Sequence, residues 1–182
     1  MHPIEKTASV HWEGQGRQGK GAISTQTAAL QAWPYGFGSR FQDERRGTNP
    51  EELLAAAHAA CFTMAFSFAC DKAGFATTSV DTRATVRLVA EGEGFTIDRI
   101  VLQLQAVVPG IDETRFAMIA QAAKTSCPLS KALAAVPDVL AMMSDKLAWT
   151  QKLGDAVLAQ QPDVMDAIQR LRKLRAHDFG LA

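Results

Sequence analysis

Two cysteines stand where a thiol could do chemistry. Cys61 lies in the middle of the apolar run "TNPEELLAAAHAACFTMAF", which begins with the adjacent carboxylates Glu51 and Glu52. Cys127 directly precedes "PLSKALAA", whose proline suits the first turn of a helix. Backbone N–H groups at a helix N-terminus lower the pKa of a thiol, so Cys127 is a candidate thiolate. Free cysteines also serve as small core residues, and spacing alone leaves both uses open.

A histidine and a third cysteine lie on the same apolar run. His58 precedes Cys61 by three residues, so the two share a helix face. That spacing allows a cysteine hydrolase with His58 as general base. The sequence offers no oxyanion hole and no third orienting residue, which favours a packed or hydrogen-bonded histidine instead. Cys70 falls on a different face from Cys61, and we interpret it as a packing residue.

The two carboxylates have different positions in the predicted helix. Asn49 is a suitable N-cap, Pro50 fits the first helical position, and Glu52 occupies the position of a capping carboxylate. Glu51 is then available for another role. Ten residues of helix, about 15 Å of rise, separate it from Cys61, so the two cannot touch directly. An arginine between them, or a second copy of the chain, would have to connect them.

The elements around these residues indicate an α+β fold. The long helix that starts at Asn49 is apolar on nearly every face, which predicts that it is buried all round. Alternating apolar residues predict two strands after it, and acids followed by Cys127-Pro128 predict two helices. The predicted elements are β structure within 8–46, strands at 79–90 and 95–108, and helices at 112–126 and from 128.

A GxGxxG pattern occurs near the N-terminus, at Gly14, Gly16 and Gly19. A dinucleotide site needs a helix directly after such a loop. Here the alternating, β-branched "AISTQT" follows, which predicts a strand. We therefore predict a hairpin turn and no cofactor site.

Composition excludes several classes of function. The 182 residues include nineteen acidic and nineteen basic side chains, so neither a nucleic acid nor an anionic membrane is expected as partner. No apolar run reaches the length of about 18 residues that a membrane span needs, and the N-terminus lacks the apolar stretch of a signal peptide. Three cysteines without a CxxC pair and four scattered histidines give no metal spacing. We expect a cytoplasmic protein without metal or cofactor.

Four motifs together resemble a known family. The segments "YGFGSRF", "GTNPEELLAAAHAACFTMA", "AVVPGID" and "CPLSKAL" closely resemble the OsmC branch of the OsmC/Ohr organic hydroperoxide reductases, from about residue 6 to residue 133. The resemblance implies a peroxidase domain over residues 1–133, with a curved antiparallel sheet around a buried central helix. It also implies an intertwined homodimer whose two active sites lie at the subunit interface.

The resemblance assigns roles to four residues. Cys61 matches the peroxidatic cysteine of the family, and Cys127 matches the resolving cysteine. Arg40 matches the arginine that stabilises the thiolate, and Glu51 matches the glutamate that holds this arginine. Such an arginine is the connection that the distance along the helix requires. In a homodimer, the partner copy could contribute Arg40 or Glu51.

The implied reaction is a thiol peroxidase cycle. The Cys61 thiolate attacks a peroxide and becomes a sulfenic acid, and Cys127 condenses with it to a disulfide. An external dithiol restores both thiols, and the resemblance suggests a lipoylated protein as its source. Organic hydroperoxides are the expected substrates, with hydrogen peroxide as a second class. Apolar walls formed by Phe37, Phe62 and Phe66 would favour the organic ones.

The chain departs from the family after residue 133. Residues 134–182 show no strand pattern, and we predict a helical extension that replaces the usual last strand and leaves a sheet edge unpaired. This tail resembles part of an uncharacterised bacterial family of envelope-associated proteins. An alternative function is therefore a non-enzymatic thiol redox sensor or adaptor whose helical tail binds a partner.

Overall fold

The structure is a computed structural model that describes residues 2–42, 44–134, 136 and 138–144, the last of these for the backbone alone. Helices and strands occur in mixed order, which confirms the α+β class. The strands are β1 (Ala8–Glu13), β2 (Lys20–Thr25), β3 (Trp33–Gly36), β4 (Ser79–Glu91), β5 (Gly94–Val107) and β6 (Asp138–Ser144). The helices are α1 (Phe37–Phe41), α2 (Pro50–Lys72), α3 (Glu113–Ser126) and α4 (Pro128–Ala132).

The described strands form two three-stranded sheets. In the first, β1, β2 and β3 are antiparallel neighbours. In the second, β5 lies between its antiparallel partner β4 and the parallel strand β6. The resemblance implied one curved antiparallel sheet, whereas a single chain shows two sheets, the second of mixed direction.

The turn between β1 and β2 contains the GxGxxG glycines. Gly14 and Gly16 adopt positive φ angles of 87° and 48°, and a short 3₁₀ turn follows. Glycine reaches this left-handed region without the steric cost of a side chain. Because the strand β2 follows directly, the structure agrees with the predicted hairpin turn.

The core lies between α2, α3 and the β4–β5 pair. Alternate residues of β5 point inward, and Leu102 and Leu104 are almost completely buried there. Phe66 of α2 packs against Phe116 of α3, with ring centroids 5.3 Å apart. Burying a side chain of this size contributes about 1.5–3 kcal/mol each, so this cluster fixes α2 against the sheet.

Helix α2 begins at the predicted N-cap. The side-chain oxygen of Asn49 accepts a hydrogen bond from the Glu52 amide at 2.8 Å, and Pro50 is the first helical residue. The Glu52 carboxylate accepts a hydrogen bond from the Thr48 hydroxyl at 2.9 Å. The capping pattern predicted that the Glu52 carboxylate accepts from the Asn49 amide. In the structure it accepts from the Thr48 side chain instead.

Only one face of α2 is buried within the chain. Its fully buried residues recur every four positions and form one stripe: His58, Phe62, Phe66 and Cys70. On the opposite face Met64 is 56% exposed and Phe68 is 69% exposed. The prediction of a helix buried all round is therefore wrong for a single chain, because the sheet, α3 and α4 all cover the same side of α2. By length and hydropathy alone α2 could also span a membrane, a test that core helices pass as well.

A strand follows residue 133. β6 pairs with β5 over the full register from Ile100–Asp138 to Ala106–Ser144. The expectation that this region holds no strand and leaves the sheet edge unpaired is wrong, because the free backbone groups of β5 pair with "DVLAMMS". The helices expected beyond residue 144 lie outside the described residues, and the boundary at residue 133 stays a prediction.

Candidate active site

The two candidate thiols lie next to each other. Cys61 Sγ on α2 and Cys127 Sγ at the start of α4 are 3.0 Å apart, although 66 positions separate them in the sequence. Both thiols are free, Cys127 is fully buried, and Cys61 is half-buried. Cys127 holds its position because it ends α3 and caps α4 at once: its amide donates to Ala123 and its carbonyl accepts from Lys131.

The surroundings of the two thiols act in opposite directions on their pKa values. Burial raises the pKa of Cys61, and the contact with Cys127 raises it further. Burial also raises the pKa of Cys127, but hydrogen bonds from Cys61, from Ser130 and from the Leu129 amide outweigh this effect and lower it. Within one chain, a negative charge on the pair is therefore more stable on Cys127 than on Cys61.

His58 and Ser130 extend this cluster into the core. His58 Nε2 lies 2.9 Å from Ser130 Oγ, across 72 positions of sequence. His58 is fully buried, and Ser130 is almost so. The imidazole is thus packed and hydrogen-bonded, as the sequence analysis favoured over a role as general base. Sequence reasoning missed Ser130, although a side chain three residues after a helix N-cap can reach back toward the N-cap residue.

The second cluster joins Arg40 and Glu51. Arg40 Nη2 donates to Glu51 Oε1 at 2.6 Å, and Arg40 Nε lies 3.1 Å from Oε2, so the pair is bidentate. The Arg40 guanidinium also lies over the Phe41 ring, 5.1 Å from its centroid. The structure therefore brings together the two charged residues that the resemblance named.

The short helix α1 positions Arg40, and the sequence did not predict it. Ser39 Oγ donates to the Thr48 carbonyl at 2.7 Å, and Asn49 Nδ2 donates to the Ser39 carbonyl at 3.1 Å. These bonds fix α1 to the first turn of α2, where Glu51 lies. The same Asn49 that begins α2 thus helps to hold the arginine beside its carboxylate.

The two clusters are separate within one chain. Ten residues of α2, about 15 Å of rise, separate Cys61 from Glu51, which holds Arg40. The expected apolar wall also differs. Phe62 and Phe66 are fully buried in the core and cannot line an open site, whereas Phe37 packs against Phe41 with centroids 5.0 Å apart. Among the described residues, no group of three or more potential ligands could hold a metal ion.

Comparison with known proteins settles the family. Residues 41–140 match the family model described as OsmC-like protein. Peroxiredoxin OsmC of Escherichia coli K12 is 50% identical over 132 residues, which are 72% of this chain and 92% of that protein. The chain belongs to the OsmC family. The resemblance expected from the motifs is thereby confirmed.

Other relatives extend the agreement to the fold. The organic hydroperoxide resistance protein OhrB of Bacillus subtilis is 27% identical with a TM-score of 0.56, over 75% of this chain and 98% of that chain. An organic hydroperoxide resistance protein of Xanthomonas axonopodis pv. citri is 34% identical over 64% of this chain and 80% of its own length. The OsmC/Ohr fold and the prediction of a thiol-dependent peroxidase are confirmed.

The tail has a different set of relatives. Residues 111–181 match a model described as protein of unknown function (DUF3300). The uncharacterized protein YacH of Escherichia coli K12 is 54% identical over 44 residues, which are 24% of this chain and only 7% of that protein. The predicted resemblance of the tail to an uncharacterised protein is confirmed, and the small share of YacH carries no function across.

Proposed function

We propose that this OsmC-family protein reduces organic hydroperoxides, with Cys61 as the attacking thiol and Cys127 as the resolving thiol. The observation that carries the proposal is the 3.0 Å contact between the two sulphurs. A disulfide forms from this position with a further approach of only about 1 Å. Cys61 takes the first role because it is the more exposed of the two, and a peroxide has to reach the attacking sulphur.

The cycle has three steps. The Cys61 thiolate attacks one peroxide oxygen, the O–O bond breaks, and the departing alkoxide takes up a proton to become the alcohol. The Cys127 thiolate then attacks the Cys61 sulphur, the S–O bond breaks, and the departing hydroxide is protonated to water. An external dithiol reduces the disulfide by exchange and is itself oxidised to a disulfide.

In this proposal Arg40 provides a positive charge near the attacking thiol, and Glu51 holds the guanidinium in its orientation. A guanidinium within about 4–6 Å of a thiol lowers its pKa, and a bidentate carboxylate holds the guanidinium in place. Because about 15 Å of helix separates Cys61 from Glu51, to which Arg40 is bonded, we propose that assembly brings this charge to the thiol. The exposed apolar face of α2, with Met64 and Phe68, supports a homodimer in which a second copy covers it.

Partners and location follow from the same chemistry. We propose a lipoylated protein as the source of the dithiol, because a dihydrolipoyl group can form its own disulfide in one exchange reaction. A reducing cytoplasm keeps Cys61 and Cys127 ready for the next turnover. Hydrogen peroxide is a second, poorer substrate in this proposal.

One stoichiometric experiment tests the function. The protein receives one equivalent of cumene hydroperoxide, and peptide mass spectrometry then locates the disulfide, which we expect between Cys61 and Cys127. A dihydrolipoyl donor should then support many turnovers. Oxidation of the thiols without turnover would instead indicate a redox sensor. Hydrolytic activity that survives in Cys127→Ser, with no sulfenic acid at Cys61, would indicate the cysteine hydrolase with His58 as general base. Equal rates with hydrogen peroxide and cumene hydroperoxide would contradict the preference for organic substrates.

A further inference from the structure

The peroxidase cycle above makes no use of a titratable side chain that lies beside its thiols. His58 is fully buried on α2, one turn before Cys61. Burying an imidazole costs free energy unless it is hydrogen-bonded, and its Nε2 atom lies 2.9 Å from Ser130 Oγ. The bond lies next to the redox pair, because Cys127 is three residues before Ser130 and Cys61 three residues after His58.

Ser130 links the histidine to the resolving thiol. Ser130 lies three residues after Cys127, on the first turn of α4, and its amide and hydroxyl help to lower the pKa of the Cys127 thiol. A serine hydroxyl has one proton and two lone pairs. When it donates to the Cys127 thiolate, it can only accept from His58, which must then carry its proton on Nε2. In that state the hydrogen-bond donors run from His58 through Ser130 to Cys127.

We propose that His58 is a positioning residue: through the Ser130 hydroxyl it holds a hydrogen-bond donor on the Cys127 sulphur, so that this thiol is ionised when the Cys61 sulfenic acid forms. The inference rests on the proposed roles of the two thiols. In the resolving step, the Cys127 electron pair forms the S–S bond and the hydroxide leaves with the S–O pair. The hydroxide becomes water by taking up a solvent proton, which balances the proton that Cys127 released on ionising, and both His58 and Ser130 keep their own.

The proposal differs measurably from a purely structural role. If His58 and Ser130 only satisfied each other in the core, removing either would lower stability and leave the acidity of Cys127 unchanged. If they act on the sulphur, removing either raises the pKa of Cys127, because a hydrogen bond to a charged group stabilises the charged form.

The first test is a titration that needs no peroxide. In the full-length Cys61→Ser protein, ultraviolet thiolate absorbance reports Cys127, because burial raises the pKa of Cys70 to about 11. Adding Ser130→Ala should raise the pKa of Cys127 by about one unit. His58→Leu should raise it in the same direction, and His58→Gln should restore most of the difference, since an amide N–H can also donate to Ser130.

A neighbouring serine provides the matched control. Ser126 directly precedes Cys127, and its hydroxyl donates to the Ala123 carbonyl at 3.1 Å. Ser126→Ala removes the same atom one residue from the thiol and should leave the pKa of Cys127 unchanged. Equal pKa values for the Ser130→Ala and Ser126→Ala proteins would overturn the proposal, and so would equal values for His58→Leu and His58→Gln.

The second test follows the resolving step with Cys61 intact. After one equivalent of cumene hydroperoxide, a dione reagent traps the remaining sulfenic acid, and its decay gives the rate of disulfide closure. Below the pKa of Cys127, closure should be about tenfold slower in Ser130→Ala. Above both pKa values the variant should equal or exceed the unaltered protein, because a more basic thiolate is a better nucleophile. A constant ratio at every pH would overturn the proposal.

The two tests separate this inference from the proposed function. If the unaltered protein forms no disulfide between Cys61 and Cys127, the proposed cycle fails. The titration still decides whether His58 and Ser130 control the acidity of Cys127, since it requires no peroxide.

Discussion

The buried thiol cluster and the Arg40–Glu51 pair differ in how they are held. Cys61, Cys127 and Ser130 lie where α2, α3 and α4 meet, and packing of a single chain is enough to bring the two sulphurs to 3.0 Å. The ion pair lies at the N-terminal end of α2, where the Arg40 side chain is 35% exposed and that of Glu51 is 13% exposed. One cluster is complete within the chain, whereas the other faces outward.

The difference between the clusters suggests a purpose for the arginine that we have proposed for the assembled protein. Two thiols this close titrate as a pair, and their first negative charge is shared between them. Within one chain the charge favours Cys127, because the contact with Cys61 and the groups of Ser130 stabilise it there. A guanidinium brought close to Cys61 would move the charge to the attacking sulphur. We therefore interpret Arg40 as selecting which of two coupled thiols is ionised.

The largest expected effect comes from removing the attacking thiol. Cys61→Ser should lower the rate of cumene hydroperoxide reduction by about a thousandfold or more, since a serine hydroxyl is not ionised at neutral pH. Cys70→Ser is the control, because it removes a buried thiol two and a half turns along the same helix. A Cys61→Ser protein that keeps its activity would transfer the attacking role to Cys127.

The next effect tests the outward-facing cluster. Arg40→Ala should slow oxidation of Cys61 by about ten- to a hundredfold at neutral pH, because a loss of one to two pKa units of acidity reduces the thiolate fraction by that factor. The pKa of Cys61 should rise, so the rate reaches its plateau at a higher pH. Rapid-mixing oxidation rates at several pH values measure both changes.

Arg17 is a matched control for Arg40. Its guanidinium also lies over an aromatic ring, 4.9 Å from the centroid of Phe37. Arg17 belongs to the 3₁₀ turn between β1 and β2. Arg17→Ala should leave the pH profile unchanged. Glu51→Gln should give a smaller loss than Arg40→Ala, since the charge remains but is less well oriented. Equal effects of the two arginine substitutions would show that Arg40 acts through general charge alone.

A third prediction asks whether assembly connects the clusters. Met64 lies on the exposed face of α2, and Met118 is similarly exposed on α3. Met64→Glu should convert a dimer into monomers, because an unpaired carboxylate in an apolar interface costs several kcal/mol. Met118→Glu should leave the dimer intact. Sedimentation velocity distinguishes these results, and a Met64→Glu protein that stays dimeric would place the interface elsewhere.

Parts of the fold could be predicted because they depend on local pattern. The alternation at 79–90 and 95–108 predicted β4 and β5 to within a residue or so, and Asn49 marked the start of α2. The buried side of α2 could not be predicted, since alanine, methionine and phenylalanine occupy all its faces. The sequence did not predict β6, because its pairing with β5 is parallel and non-local and therefore lacks the turn signal of a hairpin.

The site shows the same division. Asn49 and Pro50 placed Glu51 on the first turn of α2, and the helix rise required a connecting residue. The contact of Cys61 with Cys127 and the bond between His58 and Ser130 cross 66 and 72 positions. Such contacts follow from tertiary packing, which spacing along the chain does not encode. The first came from resemblance to a family, and the second only from the structure.

The smallest expected effect concerns the buried thiol that belongs to neither cluster. Burial raises the pKa of Cys70 from 9.0 to about 11, with no group that lowers it. Cys70→Ala should therefore leave the peroxidase rate unchanged. In the native protein iodoacetamide should label Cys61 well before Cys70, because only about one in ten thousand Cys70 thiols is ionised at neutral pH.

The same thiol also makes a small contribution to stability that depends on pH. Because its pKa is higher in the folded than in the unfolded chain, the folded chain binds more protons between pH 9 and about 11. The contribution is thus complete below pH 9 and is lost as the pH rises toward 11. Urea unfolding should show a shallower loss of stability over this range in Cys70→Ala. Parallel curves for the two proteins would mean that Cys70 is in contact with water and lies outside the packed stripe of α2.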